Sequence, residues 1–173
     1  MQESIRHPIV NIADVELHQL PAEFSPTGPA AERYASRLGF VGQQIGARLL
    51  GYNITVVPPG KRAFPRHNHQ INEEMFLVLE GTGQIRIGGA VHAIKPGDMI
   101  ACPPGGQETA HQIINNGEVE LRFLAISTKL SPEIVEYPDS GKFGVLAENL
   151  HGKGPLWRFV GQESAGVDYW EGE

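Results

Sequence analysis

Apolar and polar positions change over in short runs through the middle of the chain, and glycine and proline clusters separate the runs. Residues 45–57, IGARLLGYNITVV, are rich in branched and aromatic side chains and stop at Pro58-Pro59-Gly60, which predicts a strand closed by a turn. Glu74 to Leu79 form a run that is apolar on both faces, Phe76 and Val78 on one and Met75, Leu77 and Leu79 on the other. Such a strand is covered on both sides: the interior of a barrel is one cover, and the N-terminal arm or a second subunit is the other. Further short strands follow, over Gln84–Ile87, Val91–Ile94, Met99–Cys102, His111–Ile114 and Glu118–Ser127. Between them lie turn sequences such as Lys95-Pro96-Gly97-Asp98, whose Pro and Gly suit a type II turn. The total is roughly eight strands at regular short spacing, the pattern of an all-β sandwich or jelly roll.

The two ends read differently. Ile5, Ile9, Ile12, Val15 and Leu17 alternate loosely, as an arm with edge strands. Thr27 is placed to cap a short helix over Ala30–Ala35, the one helix expected ahead of the barrel. After Ser131 the texture becomes that of an extension, with Trp157, Phe159, Tyr169 and Trp170 expected to anchor it. The organisation expected is an N-terminal arm at 1–44, a β-barrel at 45–128 and a C-terminal extension at 129–173 packed on the barrel.

Composition narrows the function classes. The chain has 173 residues and a formal charge of −6 without a basic stripe, which argues against nucleic acid. One cysteine, Cys102, rules out an internal disulfide. The first twenty residues lack the pattern of a signal peptide, and no apolar run approaches the ~18 residues of a membrane span. A cytoplasmic protein is expected.

The candidate chemistry lies between Gly60 and Gly81, GKRAFPRHNHQINEEMFLVLEG. His67 and His69 are separated by one residue, so both imidazoles leave an extended strand on the same face. Glu73 and Glu74 follow, and alternation puts Glu74 with Phe76 and Val78, leaving Glu73 as a rim charge. Imidazoles and a carboxylate on one wall, with His111 supplied from elsewhere, suit a divalent transition metal. Cys102 reads as a small buried hydrophobe; Gln112 and Ser127 could line the pocket, although polar groups in strands usually face solvent. Arg48, Arg62, Arg66 and Arg122 read as surface cations, any of which could pair with an anionic substrate if it entered the barrel.

The spacing G-x6-H-x-H-x4-E-x6-G from Gly60 to Gly81, followed by G-D-x4-P-x-G-x5-H-x3-N from Gly97 to Asn115, resembles the two motifs of the cupin superfamily. Within it the chain looks like a small single-domain subgroup without an assigned function. The gap before His67 is one residue longer than usual and the gap before His111 three longer, both in loops where insertion costs little. The resemblance implies a double-stranded β-helix, the cupin barrel, commonly a homodimer. It also implies one divalent transition metal (Fe, Mn, Ni or Zn) held by His67, His69, Glu74 and His111, with Asn115 a structural turn residue. A small-molecule ligand in the barrel and a metal-dependent enzyme of dioxygenase or isomerase type are the expected function. A non-catalytic sugar or organic-acid binding module is the alternative. No residue is singled out as catalytic beyond the metal set.

Overall fold

The structure is a computed structural model that describes residues 7–147 and 157–173; Ile5, His151 and Gly154 fall outside the described residues. Thirteen strands are described. In chain order they are β1 (His18–Gln19), β2 (Arg37–Gly39), β3 (Leu50–Val57), β4 (Asn68–His69), β5 (Glu74–Glu80), β6 (Gly83–Ile87) and β7 (Ala90–Ile94). They continue with β8 (Met99–Cys102), β9 (His111–Ile114), β10 (Leu121–Thr128), β11 (Glu133–Tyr137), β12 (Lys142–Ala147) and β13 (Trp157–Gln162). The main sheet has the order β1-β2-β3-β10-β5-β8, and every described pairing between these strands is antiparallel. Two smaller sheets, β7-β6-β9 and β13-β12-β11-β4, are joined by a bridge at His67↔His111. The result is an all-β jelly roll whose barrel strands match the predicted ones closely.

Its core follows from alternation along the central strands. Phe76 and Val78 of β5, Leu121 and Phe123 of β10 and Val57 of β3 point inward, where Ile85 and Ile113 meet them. The Phe76 and Phe123 rings meet edge to face, with centroids 5.6 Å apart. The opposite faces of the same strands contribute Ile54, Val56, Leu79 and Leu124 to a second cluster, covered by Val10, Val15 and Leu17 of the arm. The outer face predicted for the Leu79 strand is therefore covered in part from within the chain.

The helices depart from expectation. The first, α1, runs from Pro29 to Arg33, with Gly28 rather than the Thr27 side chain at its N-terminus. It ends early because Arg62 draws the chain into an extended pairing, its N–H bonding to Arg33 O and its carbonyl accepting from Ala35 N–H. A second helix, α2 (Val41–Ile45), is not among the expected elements; it meets the segment predicted as strand only at Ile45, and Gly46 ends it in the left-handed region, with β3 beginning at Leu50. Val41 and Ile45, four apart, both reach the outer cluster, so packing overrides the β propensity of this stretch.

The C-terminal segment is tied differently from expectation too. Trp157, Tyr169 and Trp170 are 59%, 83% and 72% exposed rather than anchored. The attachment is instead the β11 ladder, in which Glu136 pairs with Asn68 and Val135 with His69. Among the described residues no helix is long and apolar enough to cross a membrane.

Phe123 is almost fully buried in the inner core and braces Phe76, which in turn lies against the His111 ring. Replacing it with alanine is expected to lower unfolding free energy by about 3–5 kcal/mol, read as a shift of the urea midpoint with an unchanged slope.

Candidate functional site

His67 and His111 face each other across adjacent strands and exchange both backbone hydrogen bonds, at 3.1 and 2.8 Å. This pairing sets their imidazoles side by side, with ring centroids 4.6 Å apart. Two residues on from His67, His69 returns to the same face as alternation requires, while Asn68 between them points away and donates to Gly105 O and Glu136 Oε2. Glu74 opens β5 opposite this wall. Its Oε2 lies 2.9 Å from His111 Nε2, 3.4 Å from His69 Nε2 and 3.5 Å from His67 Nε2. All four predicted residues are thus brought to one point. His67, Glu74 and His111 form the tightest group, their candidate ligand atoms all within 4.8 Å of one another. His69 joins through Glu74. Glu73 is exposed at the rim, as predicted.

The far nitrogens settle which way the rings are polarised. His67 Nδ1 lies 2.8 Å from Pro65 O and His111 Nδ1 3.2 Å from Thr109 O. A carbonyl oxygen only accepts, so these Nδ1 atoms carry the protons. His69 Nδ1 lies 3.5 Å from the Glu133 carboxylate. The three Nε2 atoms therefore converge on one carboxylate oxygen, an arrangement satisfied by a metal ion between them or by protons on the imidazoles. His69 Nε2 is buried and without a hydrogen-bond partner, the kind of orphaned donor atom a metal would satisfy. Neutral imidazoles with fixed Nδ1 protons and one carboxylate are a donor set that fits a divalent transition metal.

Without a metal, protons supply the positive charge. Burial by itself would lower the His69 pKa, but the adjacent Glu74 and Glu133 carboxylates outweigh it and raise the value above 6.5. Burial would likewise raise Glu74, yet the His111, His67 and His69 imidazoles facing its carboxylate hold it well below 4.5. Cys102, opposite Glu74 on β8, is pushed up to about 12 by burial and by the Glu74 charge, so it stays a thiol.

Glu133 was not legible as a site residue. It is buried at the start of β11 and accepts hydrogen bonds from the backbone N–H groups of Gln70, Ile71 and Asn72 and from the Asn72 side chain. In sequence it is one more acid in an extension, and only the β4–β11 pairing carries it behind His69. Gln112 is also buried rather than solvent-facing, donating to Phe64 O at 2.8 Å and accepting from Arg86 at 3.2 Å. Asn115 holds its turn as expected, donating to Val57 O and Val119 O and accepting from Gly117 N–H.

A cavity of ≈260 Å³ opens beside the four residues, lined by Asn53, Thr55 and Gln112 and by apolar side chains including Phe76 and Phe123. None of the four arginines considered from sequence lines it. Arg66 bonds Gly88 O and Gln107 O, Arg122 bonds Ile12 O, Arg48 is exposed and Arg62 lines a different cavity. Ser127 lines a shallower pocket on the far side of His69 and Glu74.

Comparison with known proteins agrees with this architecture. Residues 53–127 match the Cupin domain family. An uncharacterized protein of Methanocaldococcus jannaschii is 36% identical over 72 residues, 42% of this chain and 54% of that protein. The chain thus spans about half the length of the curated relative it matches. A putative sugar phosphate isomerase from Acidithiobacillus ferrooxidans is 27% identical, with a TM-score of 0.66 over 82% of this chain and 83% of its own. A sugar phosphate isomerase from Silicibacter pomeroyi superposes with a TM-score of 0.74 at 21% identity, covering 91% and 94%. A polyketide cyclase from Streptomyces resistomycificus does so with 0.56 at 21%, covering 72% and 82%. The last two show the fold alone. The chain thus contains a region, residues 53–127, that matches the Cupin domain family, within the jelly-roll fold described above.

The two pKa shifts define a pH window. Glu74, lowered in the folded state, stabilises above pH 4.5 and loses that contribution as pH falls through its folded value; His69, raised, stabilises below pH 6.5 and loses it as pH rises. In chelator-treated protein, the difference in Tm between wild type and Glu74→Gln is expected to be largest between pH 4.5 and 6.5. Thermal melts across pH check this, and a difference that grows steadily toward alkaline pH would contradict the assignment.

Proposed function

We propose that this chain is a metal-dependent enzyme that isomerises a small polyhydroxylated molecule, with His67, His69, His111 and Glu74 as the metal ligands. One observation carries the reading: three histidine Nε2 atoms lie within 3.5 Å of one Glu74 carboxylate oxygen on the wall of a cavity of ≈260 Å³. A divalent transition metal held there would supply Lewis acidity toward a substrate oxygen. The isomerase class is favoured by the 27% identical structure described as a putative sugar phosphate isomerase.

The chain's own residues supply the remainder. Pro65 O, Thr109 O and Glu133 hold the imidazoles in the ligating tautomer and orientation. Asn53 and Thr55 offer hydrogen bonds to substrate hydroxyls, and Phe76, Phe123 and Ile113 exclude water from the inner end. Among the described residues, Glu74 and the three histidines are the only titratable side chains lining the cavity. With the Nε2 atoms turned toward Oε2, Glu74 Oε1 is the group left to take a proton from the carbon next to a carbonyl and return it to the former carbonyl carbon.

Protein purified without added metal is expected to carry near-stoichiometric Mn, Fe, Ni or Zn by elemental analysis. His69→Ala should lose it, and Glu133→Gln should weaken it roughly 10- to 100-fold in a chelator competition. Aldose–ketose interconversion followed by proton NMR in deuterated water, with solvent deuterium incorporated at the exchanging carbon, is the activity expected. Metal-free protein that resists reconstitution would overturn the reading. Metal-dependent oxygen consumption without isomerisation would replace it with a dioxygenase. Tight binding of a sugar or organic acid without turnover would make the chain a binding module.

A further inference from the structure

A second cavity, ≈370 Å³, shares Ala63, Phe64 and Pro65 with the barrel cavity but contains none of its histidines and not Glu74. It lies among the N-terminal arm, the segment leading to His67 and the β11–β12 turn, and four cations line it: Arg33, Arg62, Arg66 and Lys142. Its one carboxylate, Asp139, is already occupied, taking Arg86 at 2.8 Å and Arg66 at 3.4 Å. Arg33 and Lys142 face only the rings of Tyr34 and Tyr137, at 5.8 and 5.7 Å. Arg62 has no side-chain partner among the described residues. Arg66 is mostly buried, and its Nε has no hydrogen-bond partner at all. The Arg158 guanidinium stacks 4.3 Å from the Phe24 ring on the same wall.

In a chain of net charge −6, this is a concentration of unneutralised cations around a concave space of small-molecule size. Like charges so placed repel one another unless an anion joins them, and guanidinium groups present the forked donors that a phosphate accepts. The barrel cavity, by contrast, is lined by no lysine or arginine. We infer that this outer cleft binds a phosphate monoester or free phosphate through Arg33, Arg62 and Lys142, separately from the metal-ligand cluster. The inference stands whether or not the barrel holds a metal.

The test is isothermal titration of chelator-treated full-length protein at low salt with inorganic phosphate, with glucose 6-phosphate and with glucose. Wild type is expected to bind both phosphates and not glucose. Arg62→Gln/Lys142→Gln should weaken phosphate binding at least about tenfold, with an unchanged circular-dichroism melt. Arg48→Gln, an exposed arginine outside the cleft, should bind as wild type does. Arg33→Gln alone provides a second reading should the double variant fold poorly. Tighter binding of glucose 6-phosphate than of phosphate would identify an organic phosphate as occupant, and equal binding the free ion. Absence of phosphate binding by wild type, or binding unaffected in the folded variants, would overturn the proposal.

Discussion

The fold is built around an electrostatic conflict. Three imidazole Nε2 atoms turn toward one carboxylate oxygen of Glu74, with the far sides of His67 and His111 bonded to Pro65 O and Thr109 O and that of His69 facing the Glu133 carboxylate. Left uncompensated and buried, that arrangement would be costly. The framework nonetheless enforces it, because the backbone bridge between His67 and His111, with both its hydrogen bonds, joins the two smaller sheets. Positive charge is the resolution, and the site is a demand for a cation set in rigid backbone.

That rigidity comes from strands buried on both sides. β3, β5 and β10 send Val57, Phe76, Val78, Leu121 and Phe123 inward, and Ile54, Val56, Leu79 and Leu124 outward. The inner set ends at the His111 ring, where Phe76 packs. The outer set is closed by the arm and by α2. Each central strand is therefore fixed by packing on both faces as well as by ladders on both edges, which holds a cluster of polar groups where an apolar core would otherwise continue.

Much of this was legible from local pattern. The eight barrel strands, the Leu79 outer face and the choice of Glu74 over Glu73 all follow from alternation, because a period of two is a property of the strand itself. What failed depended on partners distant in sequence. Arg62 captures the end of α1, the outer cluster draws Val41 and Ile45 into a helix, and the β4–β11 ladder ties the C-terminal segment where its aromatics do not. Glu133 is the clearest case. Nothing adjacent to it in the chain signals a buried acid, since its environment is made by residues 69–72, some sixty positions earlier.

The same long reach gives the centre a place in time. Its donors stand at 67, 69, 74 and 111, and the carboxylate behind His69 at 133, so no short stretch of nascent chain holds more than a fragment of it. The contacts that assemble it join positions far apart in sequence, and such contacts close slowly. A growing chain on the ribosome thus holds His67, His69 and Glu74 well before His111 and Glu133 join them. The full set of four side chains converges only in the completed barrel.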